Sequence, residues 1–129
     1  GNGYGANVAT VDQDGKHNDA EIVQKGKGNE AVIDQDGKYN DAKIDQNGKG
    51  NYAEITQDGR GNDADIEQDG TDNTAYIDQD GYYNTSNIKQ GGECNYASTN
   101  QTGSNQWSDI TQCGKNLSAC VTQSNGSRW

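Results

Sequence analysis

The sequence predicts an all-β chain: a β-solenoid of stacked strand–turn–strand arches whose strands form two facing, parallel, in-register sheets. Three observations carry this. Gln recurs every eleven residues, at Gln13, Gln24, Gln35, Gln46, Gln57, Gln68, Gln79, Gln90, Gln101, Gln112 and Gln123. A Gly follows each of the first ten two residues later: Gly15, Gly26, Gly37, Gly48, Gly59, Gly70, Gly81, Gly92, Gly103 and Gly114. A β-branched residue stands two before each Gln, from Val11 and Ile22 through Thr99 and Ile110 to Val121.

The rest of the unit follows the same spacing. Two residues before the β-branched position comes Ala, with Ser only at Ser86 and Ser108, and Asn opens the first nine units, from Asn7 to Asn95. The unit therefore reads N-x-A-x-I-x-Q-x-G-x-x. Its fixed residues are two apart, the spacing at which strand side chains share one face. The positions between them are mostly Asp, Glu, Lys, Thr and Tyr, a solvated outer face. Stretches such as Lys25-Gly26-Lys27-Gly28 supply turn chemistry. A Gly in every eleven residues and a period of two exclude helix. Three regions follow: a Gly-rich segment 1–6, a repeat region 7–123 and a tail 124–129.

One such strand is too short and polar to bury its inner face alone, so neighbours must stack. Two strands facing across an arch give 22 residues per coil, twice the repeat. Reversal at the turn then sets Asn18 opposite Gln35, Ala20 opposite Ile33, Ile22 opposite Ala31 and Gln24 opposite Asn29. Small meets large in the middle and amide meets amide at the edges. Along the axis identical residues stack at about 4.8 Å. Inward Asn and Gln are expected to form amide ladders, which pair groups that are costly to bury alone.

Composition bounds the function. Only 28% of residues are apolar and the net charge is −10, against about 45–50% apolar in ordinary domains. Such a chain orders only through its repeat. Its acidity argues against nucleic acid as a partner, and no apolar run approaches a membrane span of about 18 residues. No nucleophile–base pair stands out, every periodic Gly belongs to a turn, and one His with three scattered Cys cannot build a zinc site. No enzyme activity and no cofactor are expected.

The terminal units matter most for function. The first strand, Asn7-x-Ala9-x-Val11-x-Gln13, and the last, Leu117-x-Ala119-x-Val121-x-Gln123, both keep the motif and carry no Pro or capping helix. Both are expected to template another copy, and a contact of this head-to-tail kind that does not close yields a filament. With eleven units alternating between two sheets, each subunit is expected to turn by roughly half a turn on the last.

The alternation Gln-x-Gly-x-x-Asn-x-Ala-x-x-x-Gln, as in Gln24-Lys-Gly26-Lys-Gly-Asn29-Glu-Ala31-Val-Ile-Asp-Gln35, resembles the curlin repeat of bacterial curli subunits. The resemblance runs from Asn7 to Gln123. It implies a secreted functional amyloid of the biofilm matrix that supports adhesion; no charged leader with an apolar core precedes the repeats, so any signal peptide is expected to have been removed. It further implies an outer-membrane export pore, chaperones that hold the chain unfolded, and a nucleator subunit as partners. Nearly every unit here is of the Asn-x-Ala form, whereas curlin repeats often alternate it with a Ser-led form. The alternatives are a minor nucleating or anchoring subunit, and a discrete solenoid that binds a surface. Ice binding fits poorly, because the outer columns are mixed and charged.

Other features carry weaker expectations. Asp12-Gln13-Asp14-Gly15 and its repeats resemble calcium loops, but the core claims the Gln and the closing bidentate Glu is missing. Asp19, Asp41 and Asp63 share one outward column, where mutual repulsion should raise their pKa values and favour assembly as pH falls toward 5. The residue after each Gly (Lys16, Lys27, Lys38, Lys49, Arg60) reads as a basic ridge, and Tyr52, Tyr76 and Tyr96 as outward aromatics that pack fibres side by side. Cys94 and Cys113 fall in turns on one edge of adjacent coils, which suggests a disulfide in an oxidising setting, while Cys120 faces outward alone.

Overall fold

A computed structural model describes residues 5–124; residues 1–4 of the N-terminal segment and 125–129 of the tail lie outside the described residues. Each unit forms one strand: β1 Val8–Lys16, β2 Asp19–Lys27, β3 Glu30–Lys38, β4 Asp41–Lys49, β5 Tyr52–Arg60, β6 Asp63–Thr71, β7 Thr74–Tyr82, β8 Thr85–Glu93, β9 Tyr96–Ser104, β10 Trp107–Lys115 and β11 Ser118–Ser124. The odd strands make a six-stranded sheet and the even strands a five-stranded one. All pairs are parallel and offset by 22 residues, so Ala31 lies on Ala53, Ile33 on Ile55 and Gln35 on Gln57. The predicted β-solenoid of two in-register sheets and 22-residue coils is the fold.

The core is one column of Ala and Ile between the sheets. Ala31, Ile33, Ala42, Ile44, Ala53, Ile55, Ala64, Ile66, Ala75, Ile77, Ile88, Ala97 and Ile110 are buried, with Ala20, Ile22, Ala119 and Val121 packed partly exposed at its ends. The offset between facing strands is visible where the core turns polar. Thr99, in an Ile slot, lies 3.4 Å from Ser108, in an Ala slot nine residues on. That is the separation expected for Ile22 and Ala31.

The turns differ from expectation. The periodic Gly lies inside the hydrogen-bonded ladder rather than in a four-residue turn: Gly15 pairs with Gly37 and Lys16 with Lys38. The reversal is made by two residues, such as His17 and Asn18. The first of the two is left-handed in all ten corners, with φ between 56° and 69°, whether it is Gly28, Gly50, Gly61, Asp72, Asn105, Asn116, His17, Tyr39, Tyr83 or Cys94. Gly, Asn and Asp tolerate that conformation best, and they occupy six of these positions. The Gly two residues earlier has φ between 111° and 148°, a kink that only glycine adopts readily.

Candidate functional site

The candidate site is the stack of buried amides and its two ends, where the outermost described strands have a neighbour on one side only. The Gln side chains form the expected ladder. Gln35 Nε2 donates to Gln57 Oε1 at 2.8 Å, Gln57 to Gln79 at 2.9 Å and Gln79 to Gln101 at 2.8 Å. The same Nε2 crosses the arch to a backbone carbonyl of the facing strand, as Gln35 does to Asp19 at 2.8 Å and Gln46 to Glu30 at 2.8 Å. Each periodic Gln from Gln24 to Gln101 thus ties its own sheet together and clamps one sheet to the other. Gln24, Gln46, Gln68, Gln90 and Gln112 run in the same way through the even sheet.

The Asn residues do something else, which corrects the expected Asn ladder. Their amides bond mainly to backbone. Asn29 Oδ1 accepts the N–H of Asn51 one coil on, at 3.0 Å, and Asn29 Nδ2 donates to the carbonyls of Lys25 at 2.9 Å and Gly48 at 3.2 Å. The corner explains this. Where the chain kinks, an N–H and a Gly carbonyl turn away from the regular ladder, and the Asn amide supplies the missing donor and acceptor. Asn18 does the same for Asp14, Gly37 and Asn40. One direct side-chain contact joins Asn62 Nδ2 to Asn40 Oδ1 at 3.2 Å. No hydrogen bond joins Asn to Gln side chains across the arch in the pairs expected, such as Asn18 with Gln35; the Gln amide reaches the backbone beside that Asn instead.

Ser86 is the flaw in this pairing. It occupies an Ala slot, is 1% exposed, and its Oγ has no hydrogen-bond partner among the described residues. A buried hydroxyl left unpaired costs about 1–3 kcal/mol. Ser86→Ala restores the consensus residue and is expected to stabilise the fold by about 1 kcal/mol, read as a higher denaturant midpoint at unchanged slope. An equal or lower midpoint would contradict this account of Ser86.

The outward columns form in register. Asp19 lies on Asp41 and Asp41 on Asp63, followed by Thr85 and Trp107. A longer column, not singled out from sequence, runs Asp14, Asp36, Asp58 and Asp80 along the odd sheet. Asp41, Asp63 and Asp58 in these columns titrate above the ordinary range, but the order of causes differs from expectation. For Asp41, burial leads and repulsion from Asp63, Asp19 and Glu21 adds to it. Burial also leads for Asp63, with Asp65 second, and for Asp58, ahead of Asp80 and Asp36. Asp78 is raised by burial, then by Asp80 and Asp58.

The sign of the pH effect follows. A carboxyl whose pKa is raised on folding takes up its proton in the stacked state first, so stacking gains stability as pH falls through the raised values. The gain is complete below the unfolded value of 3.8. Assembly of the chain is therefore expected to be faster at about pH 5 than at pH 7.5. Thioflavin kinetics that were flat or slower at the lower pH would count against it.

Three surface expectations are redrawn. The basic ridge divides between the two edges: Lys16, Lys38 and Arg60 stack on one, Lys27 and Lys49 on the other. On the first edge His17 stacks on Tyr39 at 4.9 Å and 9°, and Arg60 covers the Tyr39 ring at 5.7 Å, so these side chains brace a corner. Tyr52, Tyr76 and Tyr96 pack on one another at 5.6 and 5.9 Å. Cys94, Cys113 and Cys120 are free, exposed thiols. The expected Cys94–Cys113 bridge is not made, because Cys113 lies across from Gly91, three positions along the ladder from Cys94. Disulfides need Cα atoms within about 7 Å. Among the described residues no group of three or more His, Cys, Asp or Glu is placed to hold a metal, and no helix is long and apolar enough to cross a membrane.

The proposed polymer interface residues lie at the two open ends. On the first coil Val11 is 47% exposed although its side chain belongs to the core face, and Ala9 and Gln13 beside it are exposed. On the last coil Ala119, Val121 and Gln123 are half-buried and Leu117 is exposed. Among the described residues β1 and β2 have strand neighbours on one side only, as do β10 and β11.

No curated protein matches the chain. The model of the curlin-associated repeat matches residues 17–48, 40–70, 59–92 and 92–124. These segments span β2 to β11 with their Gln ladders and Gly kinks, and the chain belongs to the curlin repeat family.

Proposed function

We propose that the chain is a structural subunit that polymerises head-to-tail, through its terminal coils, into an extracellular amyloid fibre of the curli type, supporting adhesion and aggregation in a biofilm matrix. The observation that carries this reading is the pair of open ends. Core residues such as Val11 stand exposed on strands whose outer backbone edges lack a partner among the described residues. Unpaired strand edges of this kind recruit further strands, and a terminal strand that keeps the repeat motif matches its own kind. The role is structural rather than catalytic. Secretion chaperones and a nucleator subunit enter as partners through the family.

The test is incubation of the purified chain at moderate concentration, followed by negative-stain imaging and fibre diffraction. Unbranched fibres with a meridional spacing of about 4.8 Å are expected. A chain that stays a folded monomer for days would instead be a discrete surface-binding module.

A further inference from the structure

The two ends of the solenoid are stepped, and the steps differ. At the first coil β1 stands proud: its inner residues Ala9, Val11 and Gln13 are exposed, whereas Ala20, Ile22 and Gln24 on β2 are half-buried. At the last coil β11 stands proud with half-buried Ala119, Val121 and Gln123, while Ser108, Ile110 and Gln112 on β10 are recessed and buried. A flush joint therefore seats the proud β1 of one copy on the recessed β10 of another, and the proud β11 under the recessed β2. Since β1 belongs to the odd sheet and β10 to the even one, that joint rotates the incoming copy by half a turn.

The outer faces agree with the same register. Aligned as the internal pairs are, incoming Asp12 and Asp14 land on Thr111 and Cys113, and incoming Asp19 and Glu21 on Ser118 and Cys120, none of them charged. Without rotation, β1 would lie on β11 and β2 on β10, which sets Glu21 against Asp109 and leaves the steps unmatched. The Lys115 mismatch is common to both, with Lys16 in one case and Lys27 in the other.

Resting on the fibre reading above, we propose that successive copies join with a half-turn about the axis, β1 on β10 and β2 on β11. The two faces of the fibre then exchange sides at every subunit.

Native Cys120 reports the register. With Cys94 and Cys113 replaced by Ser, Glu21→Cys and Thr10→Cys are made separately and fibres of each are oxidised by air with a copper catalyst. Two facing thiols give up two protons and two electrons to oxygen. In the half-turn joint position 21 lies across from Cys120, at a spacing between paired strands that a disulfide can span. Non-reducing electrophoresis of dissolved fibres should then show a covalent ladder of multimers for Glu21→Cys and monomer for Thr10→Cys. A ladder from Thr10→Cys, equal ladders from both, or none from either would overturn the half-turn joint. In each of these outcomes fibres have formed, so the polymer reading stands apart. Failure to form fibres at all would strike that reading instead.

Discussion

Gly59→Ala is expected to abolish cooperative folding and fibre formation, while Gly61→Ala two residues away costs about 1 kcal/mol and Gly91→Ala almost nothing. The three differ in what a methyl group meets. At Gly59, with φ of 121°, a Cβ runs into the carbonyl oxygen of Gly81 on the next coil, with that residue's backbone nitrogen only 3.1 Å away. Neither can retreat, because both belong to a ladder held on each side by its neighbours. The left-handed kink adds its own cost of about 1–3 kcal/mol for a residue with a side chain. Relief requires opening the ladder at that coil, and a domain stable by about 5–15 kcal/mol cannot absorb that. At Gly61, with φ of 69°, the methyl meets the Tyr83 ring at 2.6 Å, an exposed side chain able to swing away. Gly91 has ordinary backbone and only Cys113 Sγ nearby, at 3.9 Å. Circular dichroism melts of the three variants, with imaging of their assemblies, check the order. A Gly59→Ala chain that melted like Gly91→Ala would refute the close approach of the Gly column.

The contrast among these glycines marks what the sequence could and could not tell. An eleven-residue period with alternating inward residues was enough for strand type, register, coil length and the identity of every core slot, because in a solenoid each unit meets only copies of itself. Ala31 on Ala53 and Gln35 on Gln57 follow from the period alone. The corner was not legible in the same way. Seven of its ten left-handed residues are not Gly; in all of these but His17 a hydrogen bond donated back one coil, as Tyr39 N–H does to Lys16 at 3.0 Å, holds a conformation the side chain disfavours. The partners of Asn were also hidden. An inward amide serves equally in an amide ladder or as a brace for backbone, and only the kink at the preceding Gly decides for the brace. The offset that keeps Cys94 from Cys113 and the division of the Lys residues between two edges were, by contrast, within reach of the period: a 22-residue coil sets Cys113 across from Gly91 and sends Lys residues eleven apart to opposite sheets.

Gln57→Glu is expected to make the fold and its fibres depend on acid, a test of the Gln ladder that a simple truncation does not provide. Gln57 accepts from Gln35 Nε2 at 2.8 Å and donates to Gln79 Oε1 at 2.9 Å and to the Asp41 carbonyl at 2.8 Å. It is 1% exposed. A neutral substitution, Gln57→Leu, strips donors from those two acceptors at a cost of about 1–3 kcal/mol each. Glutamate has nearly the same shape and does worse at neutral pH. Its carboxylate still accepts from Gln35, but it faces two acceptor oxygens with no proton to offer, and it carries a buried charge without a counter-ion. Burial and the facing oxygens both favour the neutral acid, so the pKa of this Glu in the folded state lies well above its unfolded value. Linkage then fixes the direction. Stability is lost at neutral pH and returns as pH falls through the raised pKa, where the carboxylic acid regains a donor for one of the two orphaned oxygens. The parent chain also gains at low pH through its Asp columns, so the informative quantity is the difference between variant and parent. That gap is expected to narrow steeply toward about pH 4–5 for Gln57→Glu, and to stay constant for Gln57→Leu, which has no proton to bind. Denaturant midpoints and fibre yields measured across this range give the answer. A Gln57→Glu deficit that did not shrink with acid would mean that the donor role of the Gln ladder is not what holds the coils together.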